Sequence, residues 1–369
     1  MASNTITLFL AGDVMTGRGV DQILPHPGAA KLREGYIRDA HDYVALAEAA
    51  NGPIPHPVDP VWPWGDALAI IGEAGPDVRV VNLETSVTGD GTFAPDKGIH
   101  YRMHPDNIGC LTVAGLDVCV LANNHVLDFG IAGLTETLVV LHAAGLRTAG
   151  AGQHAAQARQ PAEVDTGHGR VLVFSAGLAS SGISPANAAG PDLPGLAFLP
   201  DLSTDTAAQF VGHVQEIKRD RDLTVASLHW GTNWGYEVPR GHVRFARWLV
   251  DGGIDVVHGH SSHHPRPLEI YRGRPILYGC GDLINDYEGI GGYQQFRDDL
   301  RLLYFATLDA RSRELLELRL VPVRARRMRL ERATPDDGEW LRRVLSDASA
   351  GFGTRISLAG DGSLSVGVP

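Results

Sequence analysis

Short apolar runs rich in Val, Ile and Leu recur along the chain at residues 6–10, 78–81, 118–121, 171–174, 223–228, 254–257, 276–278 and 302–308. They lack strict alternation of apolar and polar positions, which predicts strands buried on both faces. Between several of them the apolar spacing changes to three and four residues. Residues 64–74 follow Pro63, residues 105–114 open on proline, and 130–144, 204–219 and 240–250 continue the helical pattern. Strands alternating with helices predict a layered α/β domain.

Two stretches break the pattern. Residues 21–63 are rich in Pro, His and Gly around one short helix candidate at 39–50, and residues 179–203 are rich in Ser, Pro, Gly and Asn. Long loops of this kind are lids, binding loops or plain insertions. Residues 323–332 alternate apolar and Arg positions, as a solvated edge strand or an anion-binding patch would. A helix over 335–349 precedes a Gly/Ser-rich tail, so the expected organisation is one domain over 1–349 with a tail over 350–369.

Composition narrows the function. The 369 residues are 44% hydrophobic and 20% charged, enough for a large core without staples. A formal charge of −11 argues against a nucleic-acid or anionic-membrane binder, which needs a basic face. Cys110, Cys119 and Cys280 form no C-x-x-C pair and fit neither a disulfide framework nor a zinc knuckle. The first apolar run reaches Asp13 within a few residues and has no basic leader, which reads as a buried strand rather than a signal or anchor. A cytoplasmic protein without a membrane anchor is the expectation; the sequence leaves its oligomeric state open.

The chemistry gathers where the apolar runs stop. Run 6–10 leads into Gly12-Asp13, run 78–81 into Asn82-Leu83-Glu84, and run 118–121 into Asn123-Asn124-His125 and Asp128. Run 223–228 leads into His229-Trp230-Gly231, run 254–257 into His258, His260, His263 and His264, and run 276–278 into Gly281-Asp282. Open α/β sheets bind ligands at the carboxyl ends of their strands, so the six signatures predict one shared site. Carboxylate, amide and imidazole together suit a divalent metal. Each residue alone has a plainer reading: Asp13 as a helix cap, Glu84 as a salt-bridge partner, Asn124 as a turn residue, and Asp128 as a cap or an orienting partner for His125.

In order, G-D-V-M-x-x-R, N-L-E, A-N-N-H-x-L-D-F-G, H-W-G, G-H-x-x-H and R-P-I-L-Y-G-x-G-D resemble the capsule and poly-γ-glutamate synthesis (CapA/PgsA-type) branch of the calcineurin-like metallophosphoesterases, over residues 5–310. The resemblance implies a four-layer αββα sandwich with metals at strand ends. By position it implies Asp13, Glu84, Asn124, His229, His260 and His263 as metal ligands and His125 as the acid-base imidazole. Two positions depart from the parent pattern: Val14-Met15 stand where D-x-H would supply a histidine, and Glu84 stands in place of a bridging Asp. One ion is therefore expected, with two open; Ca or Mn is favoured, and Zn, Fe and Mg remain alternatives.

The missing anchor and the family likeness point to a peptide-modifying enzyme. The expectation is an epimerase of the lasso-peptide type, inverting a Cα centre of a ribosomal precursor with His125–Asp128 and His260 or His263 with Asp13 as acid-base sets. A metal-dependent phosphoester or amide hydrolase and a non-catalytic part in poly-γ-glutamate production are the alternatives. For the peptide substrate, Arg18 and Arg102 are candidate carboxylate or phosphate clamps, and Trp230 and Trp234 candidate contacts. An ion pair for Arg18 and core packing for both tryptophans are the plainer readings. His258 and His264 lie outside the family motif and are expected to support the ligands from a second layer or to be structural, with strand alternation allowing them to point away from the site.

Overall fold

The computed structural model describes residues 4–368. Two sheets lie face to face at its centre. The larger has ten strands among the described residues, in the order Ile356–Leu358, Leu364–Val366, Leu315–Ala325, Leu300–Asp309, Thr5–Val14, Val78–Leu83, Val118–Val120 and Arg147–Ala149. Asp282–Ile284 pairs beside Thr5–Val14, and Leu330–Arg332 beside Leu315–Ala325. The smaller sheet runs Phe198–Leu199, Gly169–Leu178, Leu223–His229, Val256–His260, Arg274–Leu277 and Leu268–Tyr271, with Ala162–Thr166 paired to Gly169–Leu178. The central strands of both sheets pair in parallel, so their carboxyl ends lie at one edge of the molecule.

Three apolar layers hold this arrangement. Leu8, Leu10, Val80 and Val118 meet Val173, Val225 and Val256 between the sheets. On the outer face of the large sheet, Phe9, Val81 and Cys119 share a core with Ile70 and Ile71 of the Asp66–Ala74 helix and Leu134 of the Gly130–Ala143 helix. On the outer face of the small sheet, Phe174, Leu228 and Val257 pack with Val214 of Thr204–Ile217 and Phe245 of Arg240–Asp251. The chain is a four-layer αββα sandwich. Its strands read as unbroken apolar runs because each is covered on both faces.

The structure departs from the pattern in three places. Residues 105–114 form two short turns, Pro105–Asn107 and Gly109–Thr112, rather than one helix. The expected tail is not free: Ile356–Leu358 pairs with Leu364–Val366, which pairs with Leu315–Ala325, burying Ile356, Leu364 and Val366. The Arg-rich stretch is also split, since Leu315–Ala325 lies inside the sheet and only Leu330–Arg332 forms its edge. No helix among the described residues is long and apolar enough to cross a membrane.

Candidate metal centre

Strand register puts the polar ends together. Asp13 lies opposite Asn82 on one neighbouring strand and Asp282 on the other, and His229 lies opposite His260 in the facing sheet. The strand register shifts on both sides of Asp13, and Gly12 permits the close approach of the Asp282 strand: a Cβ there would sit 1.7 Å from the Gly281 carbonyl oxygen. Past His260 the chain turns through Ser261, a non-glycine residue at φ 101°, and the Ser261 amide donates to Asp13 Oδ2 at 3.3 Å.

Two groups of side chains converge on Asp13. Asp13, His229 and His260 each offer a ligand atom within 4.8 Å of the others, and so do Asp13, His263 and Asp282; all are buried. Asn82 Nδ2 donates to Asp13 Oδ1 at 2.8 Å and to Glu84 Oε2 at 3.2 Å, while Asn123 Nδ2 donates to Asn82 Oδ1 at 3.0 Å. The Asn123 side-chain oxygen accepts the His125 and Val126 amides, which ties the Asn-Asn-His turn to the same frame.

Hydrogen bonding sets the histidine tautomers. The Ala11 carbonyl lies 2.9 Å from His258 Nε2 and can only accept, so that nitrogen carries the proton and Nδ1 takes the Ser227 hydroxyl at 3.1 Å. Ser227 Oγ then accepts from His260 Nε2 at 2.9 Å, leaving the His260 Nδ1 lone pair free. His229 donates Nε2–H to Asn124 Oδ1 at 2.9 Å and likewise presents Nδ1. These two nitrogens face each other at 2.8 Å with no proton assigned between them, an arrangement that a cation shared with Asp13 resolves.

The charges agree with that fit. Burial, and then the nearby Asp282, push the Asp13 carboxyl up to about 7; burial followed by Asp13 drives Glu84 well above the carboxylate range. Burial holds His229 and His260 neutral, far below the ordinary imidazole value. Burial also opposes charge on His263, yet its Nδ1 bond to Asp282 at 2.9 Å outweighs this and raises it. Buried acids that favour protonation beside neutral imidazoles form a donor set in need of a cation.

His125 sits at the edge of this centre. Its Nδ1 is 2.7 Å from Asp128 Oδ2, whose carboxylate also accepts the Tyr101 amide, so Nδ1 donates and Nε2 is free, 3.7 Å from Glu84 Oε1. Lys97 pairs with the other Asp128 oxygen and donates to the Asn124 carbonyl. Burial lowers His125 to about 4, with Asp128 pulling the other way.

The structure thus gathers Asp13, Glu84, Asn124, His125, Asp128, His229, His260 and His263. It assigns two of them different partners from those expected: Asn124 holds His229, and His263 pairs with Asp282 rather than Asp13. Arg18 is not a free clamp. Its guanidinium is buried between Asp286 and Glu34 and lies over the Tyr43 ring at 3.8 Å. Trp230 is core: one residue past His229, it faces the opposite side of the sheet, where Nε1 donates to the Tyr278 carbonyl. Arg102 stacks over Phe129 at 4.5 Å and belongs to neither ligand group. Trp234 lies beside the centre, 5.4 Å from the His263 ring and stacked on Tyr293 at 4.0 Å. His258 points inward, since residues two apart share a strand face, and only His264 turns away, to Gly235 and Phe296.

Residues 7–287 match the family described as Bacterial capsule synthesis protein PGA_cap. The chain belongs to this family. Over 99% of its length this PGA_cap protein is 52% identical to 97% of a Mycobacterium tuberculosis protein named "Probable polyglutamine synthesis accessory protein". It is 25% identical, over 82% of its length and 68% of the relative's, to the "PGA biosynthesis protein CapA" of Bacillus subtilis. Among solved structures it is loosely similar, at TM-score 0.48 and 12% identity, to a phosphatase of Mycoplasma pneumoniae, over 87% of this chain and 94% of the other. The family assignment agrees with the CapA/PgsA-type resemblance carried by the motifs.

Proposed function

We propose that this PGA_cap protein is a metal-dependent hydrolase acting on amide bonds of a glutamate- or glutamine-rich chain. The observation that carries the reading is the pair of ligand groups sharing Asp13, with the His125–Asp128 dyad beside them. Asp13, His229 and His260 would hold one ion and Asp13, His263 and Asp282 a second; two imidazoles in the first group favour Mn, Fe or Zn over the oxygen-seeking Ca. Such ions supply Lewis acidity toward a carbonyl and a water activated near neutral pH. The chain supplies the proton transfer: Asp128 fixes the His125 ring so that Nε2 accepts the proton of the attacking water and returns it to the leaving amine. Burial, with Lys97 adding to it, keeps that imidazole neutral and ready to accept, while Lys97 also balances Asp128.

The substrate class rests on the relatives, which are named for polyglutamine and PGA synthesis. Those names offer nothing toward a lasso-type precursor; of the two imidazoles expected beside Asp13 for epimerisation, His263 is hydrogen-bonded to Asp282 while His260 stays in the Asp13 group. A second reading, a non-catalytic accessory role, draws on the name of the 52% identical relative.

One incubation separates the three. The protein, with Mn or Zn and with chelator, is mixed in D2O with oligo-γ-glutamate, oligoglutamine and a general phosphoester. Metal-dependent shortening of the oligomers, lost in His125→Ala, is expected. Release of phosphate alone would replace the amide reading by phosphoester hydrolysis, and deuterium at Cα without cleavage would restore the epimerase. No turnover with full metal content would leave the accessory role.

A further inference from the structure

At the amino ends of the strands that carry His229 and His260 lies a second polar site. A cleft of about 380 Å³ is lined by five basic side chains and three acidic ones, in a protein whose net charge is −11. Its floor is Asp255, buried just before the Val256–His260 strand. Three cations converge on that single carboxylate: Lys218 Nζ at 3.0 Å, Arg274 Nε at 3.5 Å and Arg313 Nε at 3.6 Å. Asp255 also accepts the Thr224 amide and hydroxyl, at 2.9 and 2.8 Å, so Lys218 and Thr224 take up its hydrogen-bonding capacity while the two arginines face it as ion pairs.

The chain answers this cationic surplus only in part: Arg272 pairs with Asp251 at 3.0 Å, Lys218 donates to the Gly253 carbonyl at 2.7 Å and Arg274 Nη2 to the Ser312 carbonyl at 2.8 Å. Arg274 Nη1 is buried without a hydrogen-bond partner, and Arg313 Nη1 reaches only the Asp220 carbonyl. A buried guanidinium nitrogen left without a partner is destabilising unless a ligand or water meets it. Two of the arginines at this cleft, Arg272 and Arg313, sit at positive φ, 51° and 61°, in the turns that bring them there. Such strain persists where the surroundings enforce it, often at a binding site.

We propose that this cleft is an anion site that takes a small polyanion bearing phosphate or carboxylate groups, with Arg274 and Arg313 as its principal donors. Planar guanidinium binds both groups in bidentate fashion. The Leu223–His229 strand separates the cleft from the metal centre by roughly 20 Å at about 3.3 Å per residue, so one small ligand cannot reach both. The site does not depend on the reading of the metal centre.

Calorimetric titration of the full chain with pyrophosphate and with oligo-γ-glutamate tests it. Three proteins are compared: the wild type, the metal-centre variant Asp13→Asn and the cleft variant Arg274→Gln/Arg313→Gln. The wild type and Asp13→Asn are expected to bind at least one probe alike, while the cleft variant binds it at least tenfold more weakly. Arg313→Gln alone, a partly exposed turn position, provides a variant that keeps its fold if the double change lowers the melting temperature. The probe that binds names the source, phosphate ligand or glutamate polymer. Binding that is lost in Asp13→Asn but kept in the cleft variant, or absent from the wild type at millimolar probe, would overturn the proposal.

Discussion

The two ends of the Leu223–His229 and Val256–His260 strands carry opposite unmet charge. At the carboxyl ends, Asp13, Glu84 and Asp282 are buried together, Asp282 bonded to His263 and the group flanked by His229 and His260, which burial keeps neutral. At the amino ends, three cations crowd one buried carboxylate. Both strands pair in parallel, so the sheet itself segregates the acidic group from the basic one. The ends also differ in build. Most of the centre is assembled from residues inside strands and their register, whereas the basic cleft draws on the ends of strands and helices and the turns between them, so the first is the stiffer and more selective by construction.

The largest expected effect comes from the residue common to both ligand groups. Asp13→Asn removes an anionic ligand from each, and bound metal measured by elemental analysis is expected to fall to a small fraction of the wild-type content. Any metal-dependent turnover should drop by about 10²-fold or more, the scale seen when one electrostatic partner of a transition state is removed. Anion binding at the far cleft should be untouched. Full metal retention in Asp13→Asn would break the contrast between the two ends at once.

A smaller effect is expected one layer out. Ser227→Ala cuts the relay from the Ala11 carbonyl through His258 to His260, freeing the His260 ring to turn or change tautomer. Metal affinity, read by competition with a chelating dye, should weaken by about 10–100-fold, as for other second-layer partners. His258, the histidine outside the family motif, would then owe its place to the metal site. Unchanged affinity would return it to simple packing.

That relay also marks what the sequence could and could not tell. Strand ends were legible because strands covered on both faces are largely apolar, so the polar residues that follow mark the ends: Asp13, Asn123-Asn124, His229 and His258 to His260 stand there. Partnerships were not legible, because they depend on register between segments far apart in the chain. Asp282 ended a recognised motif, yet its place beside Asp13 comes from a strand pairing that local pattern does not encode. Lys97 lies in an irregular stretch with no periodic signal. Arg18 looked free because Glu34 and Asp286 arrive from two other segments. For Trp230 and His258 the signal was present: strand alternation applied residue by residue puts Trp230 on the helix side and His258 on the same face as His260.

The finest test of the comparison uses backbone strain found at both ends. Ser261 at φ 101° and Arg313 at φ 61° hold conformations that cost an L-residue roughly 1–2 kcal/mol and glycine almost nothing. Glycine also loses more freedom on folding, by about 0.5–1 kcal/mol, so either substitution should shift the unfolding free energy by no more than about 1 kcal/mol. Function should divide them. At the metal centre the contribution of Ser261 is its amide, bonded to Asp13 Oδ2, and glycine has the same amide; Ser261→Gly should keep its metal. At the cleft the contribution of Arg313 is its guanidinium, which glycine lacks, so Arg313→Gly should keep its fold and its metal while losing affinity for the polyanion. If Ser261→Gly lost metal without losing stability, the side chain would be part of the centre, and the contrast between an end built on backbone and an end built on side chains would fail.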